Sequence, residues 1–269
     1  MATLQTAREH YEAQQDVTAR ALVASRRLRF GDLARLVSVL SGFQAVAALN
    51  GQRSVPRMLA EQGISLDRFA EPDARTLAGW TSFGTPLAPL LERVRQPEVD
   101  AFRFDRVVLS QVQDAGRNGA ALQMAVTPSV TAYDRMLNPP SCSRCVLLAG
   151  KVYARSAGFQ RHPQCDCVHV PTTRDNAGDL RFDAPGYFDS LPADEQERIF
   201  TKAGAELIRH APGDKRQEVM GRVVNTRWMR HSTAAQDRRA RLLPGDIVQR
   251  AGGDRDALLR LMKRYRYIR

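Results

Sequence analysis

The chain is poor in cysteine, with four in 269 residues. So few cannot staple a fold of this size, and a 30.0 kDa chain can bury a core without staples. It also has no run of about eighteen consecutive apolar residues, the length a membrane helix needs, so no membrane partner is expected. The opening, Met1-Ala-Thr-Leu-Gln-Thr-Ala-Arg8, lacks the basic start and apolar stretch of a secretory signal. The expectation is a protein made in a cytoplasm, where thiols stay reduced. No G-x-S-x-G elbow, P-loop or H-E-x-x-H occurs, so the usual serine-hydrolase, nucleotide-hydrolase and zinc-protease readings find no support. Internal repeats and long low-complexity segments are missing too. Acidic residues are also scarce, at 29 against 40 Lys and Arg, leaving a net charge of +11. A surface of that sign attracts polyanions, nucleic acids above all, although a merely soluble basic protein would look the same.

The few cysteines are clustered. All four lie in the 26 residues 142–167, as Cys142-Ser-Arg-Cys145, sixteen residues, then His162-Pro-Gln-Cys165-Asp-Cys167. A Cys-x-x-Cys pair forms a tight knuckle whose thiolates face one tetrahedral ion, and a second knuckle with His and Cys can complete four-coordination. Zn2+ is the natural occupant. Turns are available at both knuckles, from Asn138-Pro-Pro-Ser141 and from Pro163. Five candidate ligands, Cys142, Cys145, His162, Cys165 and Cys167, compete for four places; the expected set is Cys142, Cys145, His162 and one of the last two. The alternatives are two disulfides or unligated buried thiols, and reduced thiols beside a histidine favour metal over both. A nucleophilic Cys165 or Cys167 activated by His162 or His169 lacks a third group to orient the imidazole. His10, His210 and His231 are expected at the surface.

Residues 1–125 read as helical. Leu4, Ala7, Tyr11, Thr18 and Leu22 mark one face of a first helix, and Leu33, Leu36, Val37, Leu40 and Phe43 mark a second. Shorter helices are expected at 55–62 and 86–94, the latter capped by Thr85. From Asp105 onward, Val108, Val112, Ala115, Gly119 and Leu122 form one stripe, whose small residues imply close packing against another helix. Residues 126–172 change period, with short strands expected at 130–133, 146–148, 151–153 and 168–170 in a small antiparallel sheet pinned by the knuckles. Bound metal would add on the order of 10 kcal/mol to the folding of so short a sheet. Residues 173–269 return to helix: one run from Ser190 to His210, another at 214–224, and a terminal pair whose second member turns Leu258, Leu261, Met262 and Tyr265 inward. Its outer face is Arg260, Lys263, Arg264 and Arg266, and Arg238, Arg239 and Arg241 lie upstream, all candidates for phosphate or partner contact or for simple solvation. The fold class expected is α+β, predominantly α-helical, with a small antiparallel β module carrying the zinc knuckles in the middle.

The stretch Tyr133-Asp-Arg-Met-Leu-Asn-Pro-Pro-Ser-Cys142-Ser-Arg-Cys145-Val-Leu-Leu-Ala-Gly-Lys-Val-Tyr153, with Ser156-Ala-Gly-Phe-Gln-Arg-His162-Pro-Gln-Cys165-Asp-Cys167, resembles the phage Mu F-like minor head proteins. The version it is most similar to is that of actinobacteriophages and their prophages, sometimes labelled minor capsid protein or capsid maturation protease. Ser110-Gln-Val-Gln-Asp-Ala-Gly-Arg117 upstream, Phe188 to Ala205, Val223-Val-Asn225 and residues 243–268 extend the likeness over roughly residues 105–269. The run at 209–216 departs from it in being more basic. The resemblance implies a morphogenesis protein inside the phage head. It would be made in the bacterial cytoplasm, associate with portal, capsid or scaffold proteins, with non-specific DNA as a further candidate partner, and take no small-molecule substrate. The family's motif positions fall here on Cys142, Cys145, His162, Cys165 and Cys167. The protease label finds no catalytic constellation in the chain and stands as an alternative, as does a free nucleic-acid-binding zinc protein.

Overall fold

The computed structural model describes residues 4–137, 141–149, 151–158, 161–162, 165, 167–176, 182–224 and 241–268. Three long helices form its frame, α1 Gln5–Leu28, α2 Leu33–Glu61 and α4 Ala101–Ala125, with the shorter α3 Leu87–Val94 beside them. The Asp32 and Asp100 carboxylates accept from the backbone N–H groups of Arg35 and Arg103, each at 2.7 Å, and so start α2 and α4. Asp100 places the start of α4 ahead of the apolar stripe. Thr85 does not cap α3: its hydroxyl pairs with that of Thr81 at 2.8 Å, and Pro86 occupies the cap position.

The two helices expected at 33–43 and 55–62 are one. α2 continues through Pro56, where a missing N–H and a ring clash cost about 3 kcal/mol in an isolated helix. Complete burial of Val55, Met58 and Leu59 around it offsets that cost. α2 is long and apolar enough by length and composition to cross a bilayer, but here it packs between α1 and α4. Where α2 meets α4 the backbones touch. A Cβ on Gly51 would overlap the Gly116 carbonyl, and one on Gly119 would overlap that of Ala48. This is the close approach that the small residues of the α4 stripe imply.

A three-stranded antiparallel sheet follows, ordered β2-β1-β3, from β1 Ala132–Met136, β2 Tyr153–Ala154 and β3 Val168–Thr172. β1 pairs with β3 from Ala132↔Thr172 to Met136↔Val168, and every residue of both is buried. By alternation, Met136, Val168 and Val170 lie on one face, against Ala7, Tyr11 and Met58 of α1 and α2. Tyr133, Arg135 and His169 project to the other. The apolar run 146–148 is not a strand but part of helix α5 Ser143–Ala149. The Cys142 carbonyl accepts from the Val146 N–H at 3.0 Å, which begins a helical turn at the first knuckle.

The expected single helix from 190 to 210 is two pieces, α7 Ala193–Phe200 and α8 Lys202–Arg209, preceded by α6 Ala184–Ser190. Ser190 closes a helix rather than opening one, its hydroxyl donating to the Tyr187 carbonyl at 2.7 Å. Thr201, at φ 68°, breaks the chain between α7 and α8, a strained conformation for a β-branched residue. The bend lets Phe200, Ala205 and Ile208 enter one core. After α9 Arg216–Val223 and the terminal pair α10 Pro244–Ala251 and α11 Arg255–Arg264, the chain has two main cores, and neither follows the divisions at 125 and 172. The first joins Ile247, Leu258, Met262 and Tyr267 to Leu36, Leu40, Leu87 and Phe104. The second joins Val55, Leu59, Ala120 and Met124 to the sheet and to α5–α9.

Of the basic residues expected on the surface, Arg260, Lys263, Arg264 and Arg266 are exposed. Arg238 and Arg239 lie outside the described residues, as does His231. Arg241 is a correction: it is buried, its guanidinium 5.3 Å from the ring centre of Trp80 and 4.1 Å from that of Tyr267. There it donates to the Thr76 and Tyr265 carbonyls, fixing the C-terminal pair to the first core. His10 is a second correction, buried between α1 and the sheet region, whereas His210 is exposed.

Burial pulls the His10 pKa from 6.5 down to about 4. The folded state therefore binds fewer protons than the unfolded chain between those values. Stability is complete above pH 6.5 and falls as the pH drops towards 4, by about 3 kcal/mol in all. Urea denaturation across this range should show that loss, and His10→Leu should flatten it. Gly119→Ala should cost at least about 2 kcal/mol in the same assay, because its methyl meets backbone that cannot move aside.

Candidate metal centre

Two short segments bring the five donors together. The turn into α5 presents Cys142 and Cys145, and the segment entering β3 presents His162, Cys165 and Cys167. Cys142 Sγ lies 2.9 Å from His162 Nε2, Cys145 Sγ 3.4 Å from the same nitrogen, and Cys145 Sγ 3.5 Å from Cys165 Sγ. The donors form two triads within 4.8 Å, Cys142–Cys145–His162 and Cys145–Cys165–Cys167, with Cys145 in both. All four cysteines are free thiols. Sulfur and imidazole donors around a tetrahedral dication sit about 3.5–3.8 Å apart, given metal bonds of about 2.0–2.3 Å. The cluster therefore fits a metal ion, with Cys145 central and Cys165 well placed as the fourth donor. Cys142 is at the surface, while Cys145, Cys165 and Cys167 are buried.

Packed this closely, the thiols cannot all behave alike. The hydrogen bond from Cys145 pulls Cys142 down to about 4, aided by His162 against the opposing effect of burial. Cys165 is likewise held well below the ordinary thiol range, first by its hydrogen bonds with Cys145 and Cys167 and then by Arg117 and Arg135. Cys145, pressed by the other three sulfurs, is pushed up. Negative charge thus accumulates on sulfur, and a cation held in common would neutralise it.

Buried arginines surround the inner half of the cluster. Arg117, on α4, donates from Nε to the Cys167 carbonyl at 2.9 Å and from Nη2 to the Cys165 carbonyl, so one guanidinium holds the backbone of the second knuckle. Its Nη1 reaches Asp114 Oδ1 at 2.7 Å, and Arg161 Nε reaches the same oxygen at 2.6 Å. Arg135, on β1, is 1% exposed, with Nη1 4.0 Å from Cys165 Sγ. Burial opposes the charge on Arg117 and Arg135, but the neighbouring sulfurs, with Asp114 in the case of Arg117, outweigh it and raise both pKa values. His169, the other histidine considered as an activator of cysteine, packs edge-on against Tyr133 with ring centres 4.7 Å apart. Burial first, then Arg117 and Arg135, hold it well below its ordinary pKa.

All five sequence-selected donors therefore meet in one place, and the four charged residues around them were not singled out for this role. Only Asp114 and Arg117 left a trace in the sequence: at i and i+3 they share one face of α4, turned away from its stripe of small and apolar residues. Arg135 and Arg161 gave none, since an arginine in a strand or loop reads as exposed. Comparison with protein-family models, curated proteins and solved structures returns no match for this chain.

Reduced protein should carry about one tightly held metal ion per chain, measured by elemental analysis. Arg117→Met removes the donor from two knuckle carbonyls and leaves Asp114 and Arg161 to themselves. It should cost about 3–5 kcal/mol in chemical denaturation and release metal. Arg117→Lys should not restore stability, because an ammonium cannot span three acceptors in one plane. A wild-type midpoint for either variant would show that the clamp does not hold the knuckle.

Proposed function

We propose that this protein is a minor head protein of a tailed phage or prophage, of the Mu F-like type, in which a zinc ion has a structural role. The observation that carries this reading is the clamped knuckle. Three of its four thiols are buried, and its backbone is fixed by Arg117 of the long helix α4. Zinc with three thiolates and one imidazole suits this donor set, and Cys142, Cys145, His162 and Cys165 would hold it. Bound there, the ion supplies a rigid cross-link between α5 and β3. Thiolate-rich centres of this kind leave no coordination position open for chemistry. That favours a structural protein over a capsid maturation protease, as does the packing of the His169 ring against Tyr133. The sequence likeness over residues 105–269, which includes Asp114 and Arg117, supplies the head-assembly role. Portal and capsid or scaffold proteins are the partners this implies. The exposed Arg260, Lys263, Arg264 and Arg266 on and after α11 give it a face for acidic protein or for DNA phosphates without sequence preference.

The test is made on particles. Mass spectrometry of purified heads from the producing strain should find the chain in a few copies per portal. Replacing Arg260, Lys263 and Arg264 with Glu should reduce that incorporation while leaving the melting curve unchanged, since all three are exposed. Heads that lack the protein would refute the reading. Cleavage of capsid precursor by the pure protein, lost in Cys165→Ala, would favour the protease instead.

A further inference from the structure

Beside the metal centre, between α3 and the outward face of α4, lies a cleft of about 370 Å³ that reaches His162. Its volume falls within the range of ligand sites, roughly 300–1,000 Å³. Leu90, Val94, Val99 and Val107 make its walls apolar. Five arginines line it against one aspartate. Arg93 and Arg103 are exposed at its mouth, Arg106 is half-buried, and Arg117 and Arg161 are buried at the metal-centre end with Asp114.

Besides Arg161 Nε, which has its ion-pair contact with Asp114 but no hydrogen bond, three buried polar atoms on residues lining the cleft have no hydrogen-bond partner among the described residues: Arg161 Nη2, Gln113 Oε1 and Ser82 Oγ. Arg161 is 5% exposed, and among the described residues its one ion pair is the Nε contact with the Asp114 oxygen that Arg117 also uses. A buried donor left in this state costs free energy until something accepts from it. The three atoms have different needs. Arg161 Nη2 needs an acceptor, preferably charged; Gln113 Oε1 needs a donor; Ser82 Oγ can serve either way.

We propose that this cleft is a docking site for a short acidic and apolar peptide segment of a partner protein. A carboxylate answers Arg161 and the arginines at the mouth. A peptide N–H answers Gln113, and aliphatic side chains fill the space between Leu90 and Val107. A nucleic-acid backbone meets fewer of these requirements, because its phosphates only accept and its sugar–phosphate chain gains nothing from apolar walls. The site goes beyond the head-protein reading and does not depend on it, since any acidic partner of this chemistry would fit.

The full-length, metal-replete protein is titrated with a fluorescently labelled peptide of alternating Leu and Asp, followed by anisotropy at low salt. Saturable binding is expected, weakened about tenfold or more when Asn replaces each Asp in the peptide. The double variant Arg93→Glu, Arg103→Glu, at exposed positions, should weaken binding at least as much. Val107→Trp, which fills the cleft, should abolish it without altering metal content. Four outcomes would overturn the proposal: no saturable binding at millimolar peptide, equal affinity for the Asn peptide, binding retained by Val107→Trp, or full displacement of the peptide by a short DNA duplex. The last would identify the cleft as a phosphate site. If Val107→Trp fails to fold, the arginine variant and the Asn peptide still decide the matter.

Discussion

The guanidinium of Arg117 is the contact through which the two halves of this structure depend on each other. It leaves α4 where that helix is packed on both sides. It donates to two carbonyls of the second knuckle and to Asp114, all out of water. An arginine buried this deeply is affordable only because each of its three nitrogens meets an acceptor. Asp114 is committed in turn to Arg161, and Arg135 closes the opposite side against Cys165. Removing one member strands the others in a low-dielectric interior, so the network specifies one position for the knuckle relative to the helix. The thiols that could ligate a metal ion are thus held in place by the fold itself.

That position depends on how closely α2 and α4 approach. Glycines at 51 and 119 let the two backbones meet, which sets the depth at which α4 presents Asp114 and Arg117 to the sheet. Gln14 of α1 completes the layer, its amide donating to the Ala47 carbonyl at 2.7 Å beside Gly116. The five-residue strands β1 and β3, marginal on their own, are covered by α1 and α2 on one face and by the arginine and thiol cluster on the other. A metal ion held by the cluster would therefore be one of several supports for the sheet rather than its sole one. The terminal helices, which follow the sheet in sequence, return to the N-terminal helices and seal the first core through Arg241 and Tyr267.

Much of this was legible in the sequence. The predominantly helical α+β class, the antiparallel sheet in the middle, the apolar stripe of α4 and the convergence of Cys142, Cys145, His162, Cys165 and Cys167 all follow from periodicity and spacing, which are local properties of the chain. What failed did so where burial overrode a local preference. Pro56 does not end a helix whose neighbours are fully buried, and the apolar run 146–148 becomes helix because Cys142 nucleates a turn. Thr201 breaks a helix that propensity alone would have continued, because the bend places two apolar faces on one core.

The sequence by itself determined which residue types were available for metal and which faces of the helices were apolar, because both are written at spacings of two to four residues. Only the tertiary structure decided where the charges go. Arg117, Arg135, Arg161 and Arg241 read as surface arginines, because the energy that keeps a buried cation in place comes from acceptors distant in sequence: Cys165 and Cys167 for Arg117, Asp114 for Arg161, Thr76 for Arg241. Such contacts carry no periodic signature. They arise only once α4, the sheet and the terminal helices have been brought together.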